Sequence, residues 1–217
     1  MIKKPAARLC MVAGALVLGL APVMEAAAAK RQGDLMVRLR GIAVVSDDSA
    51  TISPIGGDSD IGNEYTGELD FTYFWTPNIG TELILATNKH SVMAKGTSIG
   101  DVDLGHVWLL PPTLTMQYHF APRQQISPYV GAGINYTFFY NVNDGPVVSD
   151  VNYDNSFGWA LQAGVDIEIR DNIYVNLDVK RLWLNTDVDI DAGELGMVNA
   201  DVDIDPWIFG VGFGTTF

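Results

Sequence analysis

The sequence predicts an all-β fold: an eight-stranded antiparallel transmembrane β-barrel with short periplasmic turns and long extracellular loops. Three observations point there. Apolar and polar residues alternate strictly in runs about ten residues long, the connections between runs alternate short and long, and nothing after the first residues is apolar enough for a membrane helix. Alternation marks strands because successive side chains leave opposite faces of the chain. Runs of about ten residues suit a tilted membrane strand, whereas strands of soluble sheets are usually nearer five or six.

The first element is not part of the barrel. Lys3, Lys4 and Arg8 precede an apolar run from Leu9 to Leu20, and Ala27 and Ala29 satisfy the small-residue rule for cleavage before Lys30. Residues 1–29 therefore read as a secretory signal peptide, and residues 30–217 as a single outer-membrane barrel domain. Cys10 lies in the leader behind Arg8 and Leu9, which are not the small residues of a lipoprotein site, so the mature chain has no thiol chemistry. Three of the 13 basic residues and one of the 26 acidic ones fall in the leader, leaving 10 against 25, a net charge of −15. That balance excludes nucleic acid as a partner, since phosphate wants a basic footprint.

The strands follow in order: Asp34–Val45, Glu64–Thr76, Ile79–Asn88, His106–Ala121, Ser127–Asn141, Ser156–Arg170, Ile173–Thr186 and Asp201–Phe217. "TPN", "APRQQ" and "RDN" are short links, while the segments near 46–63, 89–105, 142–155 and 187–200 are long. That asymmetry places the short turns in the periplasm. The last run, "PWIFGVGFGTTF", ends on Phe217, the signal that barrel-assembly machinery reads. Expected partners are thus that machinery, membrane lipid and lipopolysaccharide.

If the aromatic face of each strand meets lipid, the opposite parity lines the lumen. Low in the barrel this puts Arg38, Arg40, Glu68, Asp70, Glu82, Asp166, Glu168, Asp178 and Lys180 inward, with Gln117 and His119. Buried charges need partners, so these residues are expected to pair as a polar plug, with acids outnumbering bases. Higher up the inward set is apolar: Ile42, Val44, Val107, Leu109, Phe139, Leu182 and Leu184, continued by Val188, Ile190, Val202 and Ile204. Gly131, Gly133, Gly158, Gly164, Gly210, Gly212 and Gly214 are expected to leave space.

On the outer face of that upper segment stand Asp187, Asp189 and Asp191, then Asp201, Asp203 and Asp205. They read as a solvated acidic surface at the level of lipopolysaccharide headgroups. The spacing lacks the glycine and terminal glutamate of a calcium loop, so no metal site is assigned. No G-x-S-x-G, G-x-x-x-x-G-K or H-E-x-x-H occurs, and no enzyme and no cofactor are expected. His90 and His106 flank a long segment where exposure is the default.

"LPPTLTMQYHF", "PYVGAGINYTFFYN", "NIGTELILAT" and "DPWIFGVGFGTTF" resemble the outer membrane protein W (OmpW) family, and the mature chain fits its length. The resemblance implies an eight-stranded barrel with a narrow hydrophobic channel that passes small apolar molecules, relatives assisting alkane uptake. Since the charged floor blocks straight passage, a wall opening between strands would suit such cargo. The rival reading is a non-transporting barrel whose acidic outer segments serve adhesion or the docking of phage or bacteriocin. An unfilled apolar upper lumen favours the channel; interlocked side chains favour the rival.

Overall fold

The computed structural model describes residues 30–146, 150–191 and 196–217; the expected leader, with Cys10, lies outside the described residues. The described chain holds fourteen strands in chain order. Eight of them close a ring: β1 (Leu35–Val45), β4 (Glu64–Phe74), β5 (Ile79–Ala86), β8 (Thr113–His119), β9 (Ile126–Asp144), β11 (Ser156–Arg170), β12 (Ile173–Asp191) and β14 (Trp207–Thr216). Each pairs antiparallel with the next, and β14 returns to β1 from Met36↔Thr216 through Val45↔Trp207. Closure leaves the ring no edge strand, the condition for sheet within lipid.

Both chain ends of the ring meet at the short-turn end, where Leu35 and Phe217 exchange backbone hydrogen bonds of 3.1 and 2.9 Å. The link from β11 to β12 is only Asp171–Asn172, and Asn172 takes φ +60° there, a conformation asparagine tolerates better than most residues. The outward faces carry exposed Leu39, Leu83, Leu161, Leu177 and Val211 between two aromatic groups. Trp75, Tyr118 and Phe120 flank the short turns, and Phe138, Trp159, Trp207 and Phe209 lie near the other end. Such girdles mark the two membrane interfaces of an outer-membrane barrel.

The long outer segments, expected as loops, are rich in strand. They contain β2 (Asp48–Ser53), β3 (Asp58–Ile61), β6 (Asn88–Thr97), β7 (Gly100–Leu110), β10 (Asp150–Tyr153) and β13 (Met197–Ile204). The physical reason is an inward apolar face: Ile52, Val92, Ala94, Leu104 and Val198 alternate with more exposed neighbours and pack into one buried cluster. β9 and β12, 19 residues each, run from the ring into this collar and carry β7 and β13 on their outer halves.

The run expected as one strand over 106–121 is two strands. The β5–β8 ladder stops at Ile84↔Thr113, and the β6–β7 ladder starts at Asn88↔Leu109. Pro111 and Pro112 lie between, and neither has an N–H to donate. The seam between Leu85–Thr87 and Leu110–Pro112 therefore carries no ladder pair, although both sides stay paired to their other neighbours.

Candidate functional site

The lumen is divided along its axis, and its floor is built first by β1. Arg38 and Arg40 are two residues apart, so both point inward, where each is almost fully buried. Arg38 donates from Nε to Asp70 Oδ1 at 2.7 Å, from Nη1 to Asp166 Oδ1 at 3.1 Å, and from Nη2 to Glu82 and to Thr72 Oγ1. Arg40 donates from Nη2 to Asp70 Oδ2 at 2.5 Å and to Glu82 Oε1 at 2.7 Å, and its Nη1 lies 3.2 Å from Asp178 Oδ1. Its Nε is 3.0 Å from Glu68 Oε1 but off the hydrogen-bond line, so that contact is charge attraction alone. Lys180 completes the group, donating to Glu68 at 2.7 Å and Asp178 at 2.9 Å.

Neutral groups fill the remaining valences, as a buried ionic network requires. Gln117 Nε2 donates to Glu82 Oε2 at 2.7 Å, Gln162 Nε2 to Asp178 Oδ2 at 2.9 Å, and Tyr129 OH to the same oxygen at 2.7 Å. The inward glycines in this half are not spaces, contrary to expectation. A Cβ on Gly212 or Gly214 would strike the Arg40 or Arg38 stem, and one on Gly164 would strike the Tyr129 ring. These glycines make room for large polar side chains.

Two residues depart from the expected floor. Glu168 faces inward but joins none of the ion pairs among the described residues; at the turn end it accepts a hydrogen bond from the Asn172 N–H at 3.1 Å. Lys30, which strand parity could not place because it precedes β1, is buried at the bottom of the lumen. It donates to Asp166 Oδ2 at 2.6 Å and Ser127 Oγ at 3.0 Å, and its Nζ lies 2.9 Å from His119 Nδ1. Lys30 is a fourth buried cation and narrows the expected excess of acids. Tyr129 was also missed, although the parity of its strand points to it.

Above the floor the lining turns apolar. Ile42, Val44, Leu182 and Leu184 form one buried cluster with Ala160 and Ile208. Higher, Val107, Leu109, Val188, Ile190 and Val202 join the collar cluster, against which Phe139 and Ile204 pack. Two narrow cavities run through these tiers. The lower, floored by Glu68 and Lys180, encloses about 640 Å³ of atom-free space and the upper about 600 Å³, solvent at any mouth included. His90, Leu109 and Ile204 line both. The lower one also reaches Ala86 and Pro111, at the seam without a ladder.

His90 is not exposed, as expected of a loop residue, but buried, because Asn88, His90, Val92 and Ala94 share the inward face of β6. His106 is half-buried. On the collar's outer face the two acidic runs meet directly only at Asp187↔Asp201; Asp189 faces Asn199 and Asp191 faces Met197. Asn185 Nδ2 lies between Asp201 and Asp203, donating to both.

The model of the OmpW family matches residues 31–217, the whole ring and collar. The chain belongs to the OmpW family. Its OmpW-family relatives include the outer membrane protein W of Vibrio cholerae, 32% identical over 96% of this chain and 98% of that protein. A Sinorhizobium fredii protein, described as an uncharacterized outer-membrane protein, y4mB, is 42% identical over 81% of this chain and 76% of its own length. Among solved structures, the outer membrane protein OprG of Pseudomonas aeruginosa superposes with a TM-score of 0.80 at 29% identity, over 87% of this chain and 98% of that one. This OmpW-family chain is an outer-membrane protein, and its ring is the family's eight-stranded barrel.

Proposed function

We propose that this barrel takes small apolar molecules from outside the cell into its upper lumen and releases them sideways into the bilayer, without catalysis. The axial division of the lumen carries the reading. An alkyl group that enters the upper tiers leaves water for Ile42, Val44, Leu182, Leu184, Val188 and Val202, gaining about 0.8 kcal/mol per buried methylene. It gains nothing by going further down, because the floor is a satisfied ionic network that would have to be opened. Beside the lower cavity, the seam of Leu85–Thr87 against Leu110–Pro112 lacks a ladder, and it offers a lateral exit.

The test is uptake of a small hydrophobic compound by whole cells that carry Leu184→Asp or Val188→Asp at equal surface expression. A buried carboxylate in the apolar tier should lower uptake while the folded barrel remains in the membrane. Wild-type uptake by both variants would remove the channel reading and leave a barrel that serves docking through its acidic collar.

A further inference from the structure

Among the polar side chains that line the apolar column, a linked pair lies where the two cavities meet. Asn88 and His90 point inward from β6, 9% and 5% exposed. His90 lines both cavities and Asn88 the lower. Their orientation follows from one carbonyl. His90 Nδ1 lies 3.3 Å from the backbone oxygen of Gly62, which can only accept, so Nδ1 carries the hydrogen. Nε2 of the neutral ring is then an acceptor, and burial keeps the ring neutral. Asn88 Nδ2, 2.6 Å from Nε2, must be the donor of that pair. The chain of roles leaves Asn88 Oδ1 as the end group, and no donor among the described residues reaches it.

We infer that Asn88 Oδ1 is a recognition point for a hydrogen-bond donor on an otherwise apolar cargo, such as an aromatic or aliphatic hydroxyl or an aryl N–H. The inference rests on the channel reading and narrows its cargo. A hydrocarbon crossing this level leaves the amide oxygen unpaired; a molecule with one O–H satisfies it while its body stays against Leu109, Ile84 and Leu184. A carbonyl or ether oxygen has no hydrogen to give, so it leaves Oδ1 unpaired. The site thus favours donor-bearing apolar molecules over matched ones lacking the donor. A buried acceptor left unpaired or paired changes binding by about tenfold.

The experiment uses the full barrel in lipid nanodiscs, with 2-naphthol and 2-methoxynaphthalene as the matched probes. Binding is measured by fluorescence and corrected with empty nanodiscs for partition into lipid. The expected result is a preference for naphthol of about tenfold in the wild type and a ratio near one in Asn88→Leu. His90→Phe, which frees the amide to rotate, should also lower the ratio, and it covers the case in which Asn88→Leu fails to fold. Binding of both probes without preference by the wild type, or a preference that persists in the folded variants, overturns the recognition point and leaves the channel intact. Binding of neither probe overturns the channel reading and this inference with it.

Discussion

Arg38 Nη1 and Asp166 Oδ1 meet at 3.1 Å across the lumen, joining β1 to β11, strands that are not neighbours in the ring. The same guanidinium also holds Asp70 on β4 and Glu82 on β5. A planar fork with five donors can reach several carboxylates at once, which an ammonium cannot. Arg38→Ala should therefore destabilise the barrel by about 3–5 kcal/mol, the cost of orphaning buried carboxylates. Arg38→Lys should restore only part of it. Urea unfolding in detergent micelles reads both; unchanged midpoints would show that lumen water already solvates these acids.

Lys30 offers a graded comparison. Its removal leaves Asp166 still paired to Arg38, so Lys30→Ala should cost less, about 1.5–3 kcal/mol, the scale of hydrogen bonds to a charged group. The same unfolding measurement ranks the two. A larger loss for Lys30 than for Arg38 would mean that the chain before β1 is the main fastening of the floor.

The wall exit is tested at Ala86, which lines the lower cavity beside Pro111. Ala86→Trp should fill that space and lower cellular uptake of a small hydrophobic compound several-fold, with the barrel still resistant to unfolding in cold detergent. Full uptake by a folded Ala86→Trp protein would place the exit elsewhere.

Acid should loosen the collar through His90. Burial lowers its pKa below the ordinary histidine value of 6.5, against the opposing pull of the Gly62 carbonyl, Glu64 and Asp48. The unfolded collar therefore binds the proton more readily than the folded one. Stability from this group is fully present above the unfolded pKa and falls as pH drops below about 6.5. Amide hydrogen exchange in β3 and β6 should accelerate in that window for the wild type, and less so for His90→Gln. Equal acceleration in both would assign the effect to other groups.

Much of this arrangement is legible in the chain because a strand's two-residue period converts one correct facing into all the others. Once Trp159 is set outward, Gln162, Asp166 and Ala160 follow inward, and the register carries the same logic to Lys180 and Leu182. What lay beyond that logic has specific causes. Lys30 sits outside any strand, so only tertiary packing places it. The β6–β7 hairpin alternates, but its inward residues include the small Ala94 and Thr97, and Gly96, Gly100 and Gly105 take positive φ, so the pattern reads as loop. The wall break was hidden within an apparently continuous alternation, since a proline removes a donor without disturbing the polarity pattern. His90 was obscured by the same misread segment, whereas Asn88 ended the expected Ile79–Asn88 run on the inward parity of Glu82.

The interlocked floor also bears on how permeable the cell envelope is to everything else. A water-filled porin admits any polar solute that fits its bore. In this barrel Lys30, Arg38, Arg40 and Lys180 occupy the bore with their counter-charges. Salts and hydrophilic toxins would therefore meet a stopper instead of an aqueous path. A bacterium can then carry many copies of the protein in its surface without making that surface leakier to ions.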